Sequence, residues 1–227
     1  MHRHRSVFSF TYGVFDNDGT LVDSIPFCGD IFADVVSPLG VPRADALEYY
    51  SRTTGQPMRE QYRGILSGHG ITYDDAAIEH LRKTFDRRFL ALDVKFFPRA
   101  RRTLAALARR QTLFLSSAAP DAAVWKRLVG GNAARHFTLA YGSTAIPKGP
   151  RHLEVFAEVV GMELRDFADQ AYFCGDSEAD MRIGSDAGLY TIGVRGTVCD
   201  RRLRAAGAQR LVASVAELLS DPRERTS

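Results

Sequence analysis

The chain has 227 residues, 45% of them apolar and 25% charged, with a formal net charge of +3. This length suits one medium domain or a domain with a sizeable insertion, and the composition is that of an ordinary globular protein. The basic residues fall in scattered pairs such as Arg87-Arg88 and Arg109-Arg110 with no stacking aromatics, which argues against nucleic acid; no apolar run is long enough to span a bilayer.

The start, Met1-His2-Arg3-His4-Arg5, is basic but no long apolar stretch follows it, so it reads as a frayed tail rather than a secretory signal. Cys28, Cys174 and Cys199 have no metal-like spacing and are odd in number, which predicts reduced thiols in a cytoplasmic protein.

Tyr12 to Phe15 predicts a first strand. From about Ile25 to Lys95 the pattern is helical throughout. It runs over Ile25 to Val36 up to Pro38-Leu39-Gly40, then from Pro57 to Leu66 up to Gly68-His69-Gly70. A longer stretch capped by Asp74 reaches Leu92, with Ile78, Leu81, Phe85 and Phe89 at helical spacing. After Phe96-Phe97-Pro98, helices and short apolar strands alternate. The helices are Arg99 to Arg110, Asp121 to Val129, His152 to Val160 and Asp180 to Ala187. The strands are Thr112 to Leu115, Phe137 to Tyr141, Ala171 to Cys174 and Tyr190 to Val194, and a last pair covers Gln209 to Val212 and Val215 to Leu219. Such alternation implies an α/β fold, a Rossmann-like parallel sheet covered by helices on both faces. Residues 1–24 and 96–227 would form this core. Residues 25–95 would be an all-helical insertion lying over the strand ends, where active sites of open α/β sheets are found.

Four segments at strand ends carry candidate chemistry. The first is Asp16-Asn17-Asp18-Gly19-Thr20. Two acids two residues apart turn to one edge of a sheet, and like charges so close hold a cation or share a proton. Gly19 lets the backbone turn sharply after the second acid. One carboxylate can attack phosphorus while the other shuttles a proton, with a hard cation such as Mg²⁺ neutralising charge. The second is Leu115-Ser116-Ser117, whose hydroxyls can donate to a phosphate oxygen or cap the helix that follows. The third is Lys148, between Pro147 and Gly149-Pro150, which suits either a surface turn or an ammonium pairing a carboxylate and a phosphoryl group. The fourth is Gly175-Asp176-Ser177-Glu178-Ala179-Asp180, two acids one helical turn apart, suited to one cation or to a helix cap.

In this order the segments resemble the four motifs of the haloacid dehalogenase-like (HAD) phosphatase superfamily, over roughly Tyr12 to Gly193. The insertion is similar to the mobile C1-type cap of the phosphoglycolate phosphatase and β-phosphoglucomutase branch, and Ala187-Gly188-Leu189 fits that branch. The resemblance implies Asp16 as nucleophile and Mg²⁺ ligand, and Asp18 as general acid/base with its backbone carbonyl on the metal. It implies Ser116 on a phosphoryl oxygen with Ser117 and Gly19 beside it, Lys148 steadying charge, Asp176 on Mg²⁺ directly and Asp180 through metal-bound water. The second carboxylate, Asp18, speaks against true dehalogenases. The implied activity is Mg²⁺-dependent hydrolysis of a small phosphate monoester, with no nucleic-acid or membrane partner. A β-phosphoglucomutase-like phosphomutase and a non-catalytic phosphometabolite-binding regulator are the alternatives. Three positions depart from the family pattern or add to it. Asn17 is polar where the family usually has an apolar residue and is expected to face the polar rim. Arg99 stands where Gly often follows the hinge proline. Arg59, after the Thr54-Gly55-Gln56 loop of the insertion, is either a substrate contact or a surface arginine.

Overall fold

The computed structural model describes residues 5–220; the basic tail read at residues 1–4 lies outside the described residues. The chain divides into two compact units. One comprises the chain up to Asp23 and from Val94 onward, and the other is Ser24–Asp93.

The first unit opens with strand β1 (Tyr12–Phe15), a short run whose apolar side chains are buried. The second unit follows as four helices: α1 (Ile25–Val36), α2 (Arg43–Thr53), α3 (Met58–Gly68) and α4 (Asp75–Ala91). Asp74 caps α4, its side chain accepting from the Ala77 N–H at 2.7 Å. Phe32 of α1 stacks on Tyr62 of α3 at 5.0 Å between centroids, and Ile78, Leu81, Phe85 and Phe89 of α4 are buried at helical spacing.

The chain returns to the first unit beside its point of departure. The Asp23 N–H donates to the Lys95 carbonyl and the Phe97 N–H to the Leu21 carbonyl. Arg99 then adopts φ 65°, in the left-handed region, just before α5 (Ala100–Leu107). That backbone explains why glycine suits this position and where an arginine is strained. Then come β2 (Thr112–Ser116), α6 (Asp121–Gly130), β3 (Leu139–Tyr141), α7 (Pro150–Val159), α8 (Leu164–Asp169), β4 (Ala171–Gly175), α9 (Glu178–Asp186), β5 (Tyr190–Val194), α10 (Asp200–Ala205) and β6 (Arg210–Val212). Val215–Leu219, beyond β6, is a 3₁₀ turn.

The six strands form one parallel sheet in the order β3-β2-β1-β4-β5-β6. Every residue of β4 and β5 is buried, as strands covered on both faces must be. Val14, Phe114, Phe156, Phe167 and Phe173 form one core cluster, and Met181, Val198 and Leu203 belong to another. This order reverses direction at β1, so a crevice opens at the carboxyl ends of β1 and its neighbours, the usual ligand position in open α/β sheets. Among the described residues no helix is long and apolar enough to cross a membrane.

Candidate active site

Register brings the predicted segments together. Phe15 pairs with Leu115 on one side and Cys174 on the other, so the residues just past β1, β2 and β4 converge at one edge. Asp16, Asp176 and Asp180 are all buried there, with one carboxylate oxygen of each within 4.8 Å of the others. The Lys148 ammonium donates to Asp16 Oδ1 at 2.6 Å and forms an ion pair with Asp180.

Asp180 also fills a local role. Its Oδ2 accepts from the Ser177 N–H at 3.0 Å and hydroxyl at 2.7 Å, completing a capping box at the start of α9. It therefore serves the helix start with one oxygen and Lys148 with the other. Its approach depends on Gly175, where an added Cβ would lie 2.5 Å from the Asp180 Cβ and Cγ. Thr20 donates to Asp176 Oδ1 at 3.0 Å. Gly19, at φ 80°, makes the turn that returns Thr20 to this edge.

Three acids facing one lysine leave a net of two negative charges. Burial raises the pKa of Asp16 well above its ordinary value; Lys148 opposes this, while Asp180, Asp176 and Asp18 add to it. Burial, then Asp180, pushes Asp176 up to about 6 despite the Thr197 and Thr20 hydroxyls. Burial works against the Lys148 ammonium, but Asp16 and Asp180 outweigh it, so its pKa is raised. Oxygen donors with surplus negative charge fit a hard divalent cation, and the donor set holds no thiolate or imidazole that would favour a softer one.

Asp18 is held differently. Its Oδ2 accepts from Asn17 Nδ2 at 3.1 Å and from the Ser117 hydroxyl at 3.3 Å, and its Oδ1 pairs with the Arg127 guanidinium from α6. Asn17 was expected at the polar rim. The structure instead buries it completely, with its amide turned onto Asp18.

The two serines also divide unexpectedly. Strand β2 continues through Ser116, which pairs with Tyr141, and successive strand side chains point to opposite faces. Only Ser117, the first residue past the strand, turns its hydroxyl to Asp18. The expectation for Ser116 is corrected accordingly: its hydroxyl meets His152 Nδ1 at 2.8 Å in the core. The other ring nitrogen of His152 lies 2.9 Å from the Ile146 carbonyl. A carbonyl only accepts, so Nε2 carries the proton, Nδ1 accepts, and the Ser116 proton is committed to it. Burial lowers the His152 pKa, which favours this neutral ring. Ser116 and His152 thus tie β2 to the loop carrying Lys148. Ser143 ties the same loop to Ser117, accepting from the Lys148 N–H and donating to the Ser117 carbonyl, each at 2.9 Å.

Arg59 belongs to the second unit, where it pairs with Glu79 of α4. Arg127 was not foreseen. Its signal was legible: Ala123, Val124, Arg127 and Leu128 form the buried stripe of α6, and a charge in an apolar stripe calls for a buried partner.

A family described as haloacid dehalogenase-like hydrolase matches residues 14–194. No curated protein matches the chain significantly. Among solved structures, a predicted phosphoglycolate phosphatase from Haemophilus somnus aligns with TM-score 0.77 and 19% identity, covering 93% of this chain and 97% of that one. A predicted phosphatase from Clostridium acetobutylicum aligns with TM-score 0.78 and 22% identity, over 92% and 96%. CbbY from Rhodobacter sphaeroides, in complex with phosphate, aligns with TM-score 0.73 and 21% identity, over 92% and 96%. Identities this low speak for the fold, whereas the family match spans most of the chain and takes in all four strand-end segments: this protein belongs to the haloacid dehalogenase-like hydrolases.

Proposed function

We propose that the chain is a Mg²⁺-dependent phosphatase of small phosphate monoesters that works through a phosphorylated Asp16. One observation carries this reading: three buried carboxylates lie together with a single lysine, which pairs with two of them, beside a fourth carboxylate fixed by its own partners. The matched family and the phosphatase names of its structural neighbours agree with it.

Asp16, Asp176 and Asp180, with the Asp18 backbone carbonyl, would hold Mg²⁺, which supplies charge neutralisation for an incoming phosphoryl group. Asp16 attacks phosphorus, an O–P bond forms, and the bond to the leaving oxygen breaks. Asp18 gives that oxygen a proton. Water then attacks the acyl phosphate, Asp18 takes its proton, and phosphate leaves with the Asp16 carboxylate restored. Lys148, already on Asp16, offsets charge gathering on the phosphoryl oxygens. Ser117 is the hydroxyl we assign to a phosphoryl oxygen, because its contact with Asp18 is long and exchangeable. Residues 24–93 serve as the cap in this reading. Reduced thiols at Cys28, Cys174 and Cys199 agree with a cytoplasmic location.

The test is a panel of phosphorylated metabolites assayed for orthophosphate release with Mg²⁺ and with excess chelator. Release from at least one small monoester, abolished by chelator and restored by Mg²⁺, is the expected outcome. Isomerisation of a sugar phosphate without net release would make the protein a phosphomutase, and tight binding without turnover would make it a regulator. Full activity in excess chelator would overturn the metal assignment.

A further inference from the structure

We infer that Arg127 is a positioning residue for the reaction: from α6 it clamps the Asp18 carboxylate in the orientation from which a proton can be passed to the leaving oxygen. This rests on the phosphatase reading above.

The Arg127 side chain is 3% exposed, in the apolar stripe of its helix, and faces an Asp18 side chain that is 16% exposed. Taking a guanidinium out of water costs several kcal/mol even when it is paired, and an apolar side chain of the same length would fill the stripe without that cost. Packing alone therefore gives no reason for the charge. Orientation does. Asp18 sits on the loop past β1, where its side-chain torsions are not fixed by a strand or helix. Arg127 takes one of its oxygens, and Ser117 and Asn17 take the other. The Asn17 amide can point this way because its residue is fully buried, with its own Oδ1 left without a hydrogen bond. If Ser117 turns to a phosphoryl oxygen, Arg127 and Asn17 remain to hold the carboxylate. Proton transfer needs such placement, since an error of about 1 Å can cost about 100-fold in rate.

The experiment measures turnover of wild type, Arg127→Met, Arg127→Lys, Asp18→Asn and the Arg127→Met/Asp18→Asn double variant. Each is assayed on an alkyl phosphate and on p-nitrophenyl phosphate, whose phenolate departs with little help from an acid. Wild-type activity that is lost in Asp16→Asn first establishes the underlying phosphatase reading; without it that reading fails, independently of Arg127. Given it, Arg127→Met should lose about 100-fold in kcat/KM, which reports the transfer to Asp16 and not the later attack of water, on the alkyl phosphate and only a few-fold on p-nitrophenyl phosphate. Arg127→Lys should recover part of the loss, and Arg127→Met should add nothing in the Asp18→Asn background. Equal losses of kcat/KM on both substrates, wild-type kcat/KM of Arg127→Met, or a full additional loss in the Asp18→Asn background would each overturn the inference. Should Arg127→Met fail to fold, Arg127→Lys decides, because a loss confined to the alkyl phosphate supports the clamp and a uniform or absent loss overturns it.

Discussion

Two carboxylate groups at one sheet edge are built on opposite charge plans. Around Asp16, three buried acids cluster beside Lys148, which pairs with Asp16 and Asp180, and keep two negative charges in surplus. Around Asp18, one acid meets one buried guanidinium and two neutral donors, and the charges balance. Burial, with the surplus added to it, raises the carboxylate pKa values there, and the surplus makes a cation site. A balanced pair needs no cation and fixes a geometry. Neighbouring acids with the same side chain are thus given different tasks by what surrounds them.

The hardest blow to this division is Asp16→Asn. Removing the nucleophile should lower turnover about 1,000-fold or more in phosphate-release assays, with the fold intact by circular dichroism. A variant within tenfold of wild type would move the nucleophile elsewhere.

Gly175→Ala strikes the surplus cluster alone. The new Cβ would lie 2.5 Å from the Asp180 carboxyl carbon. The expected result is a loss of about 1–3 kcal/mol in urea denaturation and weaker Mg²⁺ binding by calorimetry. Wild-type values in both would mean that Asp180 has room to move.

Asp176→Asn sharpens the comparison because it should stabilise the metal-free protein. The folded pKa of Asp176 is raised from 3.8 to about 6. A raised pKa contributes stability that is fully present below 3.8 and lost as pH rises through about 6. At pH 7 the ionised group therefore works against the metal-free fold by about 1–3 kcal/mol. The variant should be more stable by that amount at pH 7, and the gap should close toward pH 3.8, while Mg²⁺ affinity falls tenfold or more. Taking the difference between the two proteins cancels the opposite slope from His152. A less stable variant at pH 7 would contradict the surplus-charge picture.

The smallest effect lies outside both clusters. Arg99→Gly relieves a left-handed backbone at φ 65° and should add about 0.5–1 kcal/mol of stability, with Mg²⁺ affinity unchanged. A lower melting temperature would show that the Arg99 side chain contributes more than its backbone costs.

Much of this was legible in local pattern. The helix Ile25–Val36 and the strands Tyr12–Phe15 and Tyr190–Val194 fall where their apolar spacing puts them. The six-residue helices Leu164–Asp169 and Asp200–Ala205 escaped, because so short a segment shows less than two turns of a stripe. Within the helical insertion, Arg43–Thr53 was not separated as an element of its own; with only Ala46 and Tyr50 buried, it carries a thin apolar face.

By itself the sequence determined the parallel core and the order in which its acids reach the strand ends, because apolar runs, Gly19 and the Gly-Asp turn are local features whose physics needs no distant partner. Tertiary structure decided which serine meets the acids, since one residue more of strand pairing turns Ser116 into the core and leaves Ser117 at the edge. It also decided that Asn17 is buried and that Arg127 reaches Asp18 across 109 positions of chain. Such pairings depend on how a helix packs against a strand end, and no spacing within either segment records that.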